Sequence, residues 1–92
     1  MKYFVRLNKK GIAALPDNKP GVYIIRNNNG TNMYTGIAKR NQVRETLASH
    51  LYGGENYIPG ARVSFQQFNN LTEANARLKA ILDRDKPKYN NL

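Results

Sequence analysis

The sequence predicts an α+β fold, a small antiparallel three-stranded sheet flanked by helices. Three observations carry this expectation. Two β-branched and aromatic runs are joined through Asn29-Gly30, a later run alternates Val63 and Phe65 with polar residues, and two stretches place apolar residues at helical spacing. At 92 residues the chain suits one domain, 1–92, and no second core.

Taken in order, Tyr3 to Leu7 reads as a short strand, and Asn8 to Lys19, with Gly11, Pro16 and Asp17, as an irregular or single-turn connection. Gly21 to Arg26 is a strand and Asn32 to Ile37 its return, with Asn29-Gly30 as a two-residue turn and Asn28 opposite Thr31. In that register Tyr23 faces Gly36 and Ile25 faces Tyr34. The two tyrosines then share a face as diagonal neighbours, about 7–8 Å apart at Cα. From Asn41 to Tyr52, Val43, Leu47, His50 and Leu51 form one helical stripe, with Arg44 on the adjoining one, and Gly53-Gly54 ends the helix. Glu55 to Gly60 is a loop and Arg62 to Phe68 the third strand of the predicted sheet. A second helix buries Leu71, Ala74, Leu78, Ile81 and Leu82, starts on an Asn70/Glu73 capping box and stops at Pro87.

Composition narrows the function. Fifteen Lys and Arg against six Asp and Glu give a net charge of +9, which points to a polyanionic partner. A 40% hydrophobic fraction with six Tyr and three Phe sets that charge on a folded core rather than a disordered tail. The absence of cysteine removes disulfides, thiolate nucleophiles and Cys-ligated zinc. With His50 as the single histidine, paired-His metal motifs are excluded. No apolar run reaches the length of a membrane span, so a soluble, cytoplasmic protein with no membrane partner is expected.

The hairpin carries Gly21-Val22-Tyr23 on one strand and Tyr34-Thr35-Gly36 on the other, and with these the chain resembles the GIY-YIG nuclease superfamily. Leu15-Pro16, Pro20, the run from Gly36 to Lys39 and the closing Lys86-Pro87-Lys88-Tyr89-Asn90 look most like its UvrC branch, over residues 15–90. The resemblance implies a metal-dependent DNA endonuclease that hydrolyses phosphodiester bonds with one divalent cation, Mg²⁺ or Mn²⁺. It assigns Tyr23 to helping deprotonate water, Tyr34 to positioning, and Arg44 to steadying the phosphate, the three converging on one scissile linkage. His50 stands where many members carry histidine, although its stripe equally fits a core imidazole. Read without the motifs, the tyrosines are ordinary strand aromatics and Arg44 a solvated helix charge. Lys39 and Arg40, before the first long helix, are expected on backbone phosphate, helped by the helix N-terminus. Arg77, Lys79, Arg84, Lys86 and Lys88 form a second basic stretch, read as a solvated face.

One departure concerns the metal. The family ligand is a glutamate in the second helix, where this chain has Leu78 or Ala80, with Arg77 and Lys79 beside and between them. Glu73 falls early, Asp83 late and Glu55 in a loop, so the metal ligand stays unassigned. The competing readings are a catalytically impaired DNA-binding module or partner subunit, and a basic RNA-binding protein. A protein partner supplying specificity fits either nuclease-fold reading.

Overall fold

The computed structural model describes residues 2–91. Its elements run β1 (Lys2–Arg6), α1 (Lys9–Ala13), β2 (Gly21–Arg26), β3 (Asn32–Ala38), α2 (Val43–Ala48), β4 (Arg62–Gln67), α3 (Leu71–Asp85) and a closing 3-10 helix, Lys88–Asn91. The strands form one antiparallel sheet in the order β1-β4-β2-β3. The sheet thus has four strands rather than three. The segment expected as a separate short strand pairs along the free edge of β4, where Tyr3 and Val5 stand opposite Phe65 and Val63. The Tyr3 and Phe65 rings lie 6.4 Å apart.

β2 is central and buried from Gly21 to Ile25, as a strand covered on both faces must be. Period-two alternation sorts its side chains into two layers. Tyr23 and Ile25 join Val63, Phe65, Ile12, Leu15, Val43, Leu47 and Ile58 on the face covered by α1, α2 and the loop before β4. Val22 and Ile24 meet Ala74 and Ile81 of α3 on the other. Leu71 departs from the expected stripe: it is 40% exposed, because the packed part of α3 begins at Ala74.

The hairpin reaches the expected strand register by a different route. Gly30 N donates to Asn27 O at 3.0 Å and Asn27 N to Thr31 O at 3.1 Å, so the loop is Asn28-Asn29-Gly30 and Asn27, not Asn28, faces Thr31. Gly30 takes φ 83°, open to glycine without strain. The Asn27 side chain accepts from the N–H groups of Asn29 and Thr31, at 2.9 and 3.0 Å, and stabilises the longer loop. An irregularity then passes over Met33, so that Arg26 pairs with Asn32 but Ile25 with Tyr34. The extra loop residue and the bulge cancel, and Tyr23 faces Gly36.

α2 is shorter than the expected 41–52. Asn41 has φ 65°, outside helical space, and after Ala48 the chain tightens, with His50 N bonded to Leu47 O and Leu51 N to Ala48 O at 3.0 and 3.2 Å. α3 begins as expected, Asn70 Oδ1 accepting from Glu73 N at 2.9 Å, and ends on Lys86 in the left-handed region just before Pro87. Beyond it, Asn90 docks on the outer edge of β3. Its amide accepts from Thr35 N and donates to Thr35 O, both at 2.8 Å, closing an edge that would otherwise be open there. No helix among the described residues is long and apolar enough to cross a membrane.

Candidate functional site

β2 and β3 bring Tyr23 and Tyr34 onto one face, with ring centroids 6.1 Å apart. Gly36, opposite Tyr23, makes this possible. A Cβ there would stand 2.5 Å from the Tyr23 hydroxyl and 2.9 Å from Tyr34 Cε2, so any side chain would push the rings off the strand. Gly21 likewise leaves room for the Phe65 ring beneath it.

His50 completes the cluster from the turn after α2, its ring 5.5 Å from Tyr23 and 5.1 Å from Tyr34. Its two nitrogens are both engaged: Nε2 lies 2.7 Å from the Tyr23 hydroxyl and Nδ1 2.7 Å from the Asn56 carbonyl oxygen. A carbonyl only accepts, so Nδ1 carries a proton. In the neutral ring Nε2 is then the acceptor, and the Tyr23 O–H donates to it. Burial first, and the adjacent Tyr34 second, hold the Tyr23 phenol above the usual phenol range. Tyr23 therefore keeps its proton and shares it with a base of fixed orientation.

The Asn56 carbonyl is placed by the loop after α2. That loop folds back through Asn56 N to Ser49 O at 2.9 Å and Ile58 N to His50 O at 3.0 Å, with Ile58 buried. The result is a cavity of about 550 Å³ lined by Tyr23, Tyr34, Thr46, His50, Glu55 and Tyr57, with Tyr89 from the closing turn. Tyr57 meets Tyr52 edge-on at its rim, ring centroids 5.5 Å apart.

The other expected site residues do not enter this cavity. Val43 and Leu47 turn into the core, and at about 100° per residue Arg44 leaves α2 on the side away from Thr46. Its Nε donates instead to the Leu15 carbonyl at 2.9 Å, tying α2 to the end of α1. The expected convergence of two phenols and a guanidinium is thus two phenols and an imidazole, with Thr46 on the side of the helix that meets the cavity. Lys39 and Arg40 are exposed before α2. One N–H of the helix start expected beside them is taken, as Asp17 Oδ1 accepts from Val43 N at 2.7 Å.

Among the described residues no three His, Cys, Asp or Glu side chains cluster as a metal site. On α3, Leu78 packs against the Val22 and Ile24 layer and Glu73 lies beside Tyr3 and Lys19, away from the tyrosines. Glu55 is the carboxylate that lines the cavity. Sequence spacing could not place it, because Gly53-Gly54 hides where the loop returns.

No family model and no curated protein matches the sequence. Solved structures do. The GIY-YIG N-terminal endonuclease domain of UvrC from Thermotoga maritima, bound to its catalytic magnesium, aligns with TM-score 0.68 at 27% identity, covering 88% of this chain and 92% of that one. Its tyrosine-to-phenylalanine and asparagine-to-alanine point mutants, bound to the catalytic divalent cation, align with the same TM-score of 0.68 at 26% and 27% identity. Over 88% of its length, then, the chain is similar to the GIY-YIG N-terminal endonuclease domain of UvrC and shares its α+β fold.

Proposed function

We propose that this protein binds DNA and hydrolyses its phosphodiester backbone at the Tyr23–Tyr34–His50 cavity, with a divalent cation as cofactor. The observation that supports this most is the buried Tyr23-to-His50 hydrogen bond, 2.7 Å long, with the imidazole anchored through Nδ1. A module that only holds phosphate has no use for a phenol whose proton is poised on an oriented base. As the Tyr23 hydroxyl accepts a proton from an attacking water, it can pass its own to Nε2, so no free phenolate is needed at neutral pH. Tyr34 flanks the same point and restricts where that water sits.

Glu55 is the side chain that would hold the cation, since a hard divalent ion needs at least one carboxylate besides substrate phosphate. Such an ion would neutralise charge on the phosphate and acidify nearby water. The net charge of +9 brings the DNA to it. A second reading, a DNA-binding module that does not cut, is favoured by the absence, among the described residues, of any arginine or α3 carboxylate from the cavity.

Nicking of supercoiled plasmid in Mg²⁺ or Mn²⁺, with an EDTA control, separates the two. Metal-dependent nicking supports hydrolysis. Salt-sensitive binding without any nicking leaves the second reading. Tighter binding of RNA than of matched DNA contradicts both, because 2′-hydroxyl contacts would then select the ligand.

A further inference from the structure

The sheet face opposite the tyrosine cavity carries an arrangement that folding alone disfavours. In the sheet register Arg6 stands directly opposite Arg62, and Arg62 directly opposite Arg26. Directly paired residues project on one face, so three guanidinium side chains form a row across β1, β4 and β2. Like charges at such positions repel, and none of the three has a carboxylate partner among the described ion pairs. Arg26 is held in place by a 3.0 Å bond to the Gly30 carbonyl.

α3 covers the β2 part of this face and leaves β1 and β4 open. The uncovered part is a groove of about 380 Å³ bearing Arg6, Arg26, Arg62 and Phe4, the last 74% exposed. It continues into a second depression of about 220 Å³ lined by Lys2, Arg77 and Arg84. Asp85, at the end of α3, is bound by Arg84 at 2.8 Å and also feels the charge of Arg26 without an ion pair to it. Six basic side chains thus line the two depressions, and among the described residues no carboxylate lines either.

We propose that this face is a second track for a nucleic-acid backbone, with phosphates seated along the Arg6–Arg62–Arg26 row. The inference rests on the DNA-binding reading above and extends it. The molecule measures 29 × 29 × 22 Å, and the row and the tyrosine cavity lie on opposite faces of its sheet. A straight duplex cannot touch both at once. The protein therefore holds two DNA segments, as a branched or sharply folded substrate would present.

The test measures binding of the full chain to a labelled duplex, and capture of a second, differently labelled duplex, over a salt series, for wild type and the triple variant Arg6→Gln/Arg26→Gln/Arg62→Gln. Wild type should form the ternary complex. The triple variant should lose it, weaken overall binding roughly tenfold, and flatten the log K against log salt slope by about 0.9 for each phosphate that the row no longer neutralises. The single variant Arg62→Gln should melt at a higher temperature than wild type, because it relieves repulsion on both sides. An unchanged salt slope with an intact ternary complex overturns the proposal, and so does a lower melting temperature for Arg62→Gln with no loss of binding. Polyglutamate displacing the second duplex as well as an equal charge of DNA does would also overturn it, giving the face to an acidic protein. Plasmid nicking reads the cavity separately: if it persists in the triple variant while binding is unchanged, this inference fails and the nuclease reading stands. If the ternary complex depends on the row but no nicking occurs, the reverse holds.

Discussion

Among single residues, one shared proton matters most. Replacing Tyr23 by phenylalanine leaves His50 Nε2 buried without its partner. A buried group so orphaned costs about 1–3 kcal/mol, which urea denaturation of the Tyr23→Phe variant should show. Gly36→Ala tests the same cluster sterically. Its methyl would meet the Tyr23 hydroxyl, so a destabilisation of about 1–3 kcal/mol is expected together with a shifted His50 ring resonance in the NMR spectrum. The hairpin motifs make the tyrosine pair legible in the sequence, because strand periodicity is short-ranged. Arg44 is not legible there, for the opposite reason. Its spacing from Gly36 is simple, but which way a helical side chain points depends on where the helix starts, and Asp17, remote in sequence, sets that through its bond to Val43 N.

Between elements, two polar ties hold β3 from outside the sheet. Asn90 closes its edge at Thr35, and Asn32 reaches Asp85 at the end of α3 at 3.0 Å. Asn90→Ala should lower stability by about 1–3 kcal/mol and speed amide exchange at Thr35, since both of its hydrogen bonds disappear at once. Asp85 gives a pH signature. Its bonds first to Arg84 and then to Asn32 pull its carboxyl down to about 2 from an ordinary 3.8. Because the folded value is the lower one, the contribution is fully present above the unfolded value and is lost as pH falls through the folded one. Melting temperatures between pH 5 and pH 1.5 should therefore fall more steeply for wild type than for Asp85→Asn, with the difference developing below about pH 4. Element types are legible in the sequence, and α3 is legible almost to the residue through Asn70 and Pro87. The joining of the first strand to β4 and the shortness of α2 are not, because partners far along the chain decide both.

For the molecule as a whole, charge and shape act together. The fold places a proton-sharing cavity on one face of the sheet and a row of like-charged arginines on the other. Composition predicts a polyanionic partner but not the arginine row, which exists only once β1 has joined β4. Glu55 is a similar case: a loop residue in the sequence, a cavity wall in the fold. If Tyr23 and His50 act as one proton-transfer unit in backbone hydrolysis, plasmid nicking should depend on both and not on Arg44. The comparison is of wild type, Tyr23→Phe, His50→Gln and Arg44→Gln at equal folded concentration. Wild type should nick, Tyr23→Phe and His50→Gln should each be slower by about 10²- to 10⁴-fold, and Arg44→Gln should stay close to wild type. Nicking that survives removal of the Tyr23 hydroxyl and the His50 ring but disappears with Arg44 would contradict this mechanism.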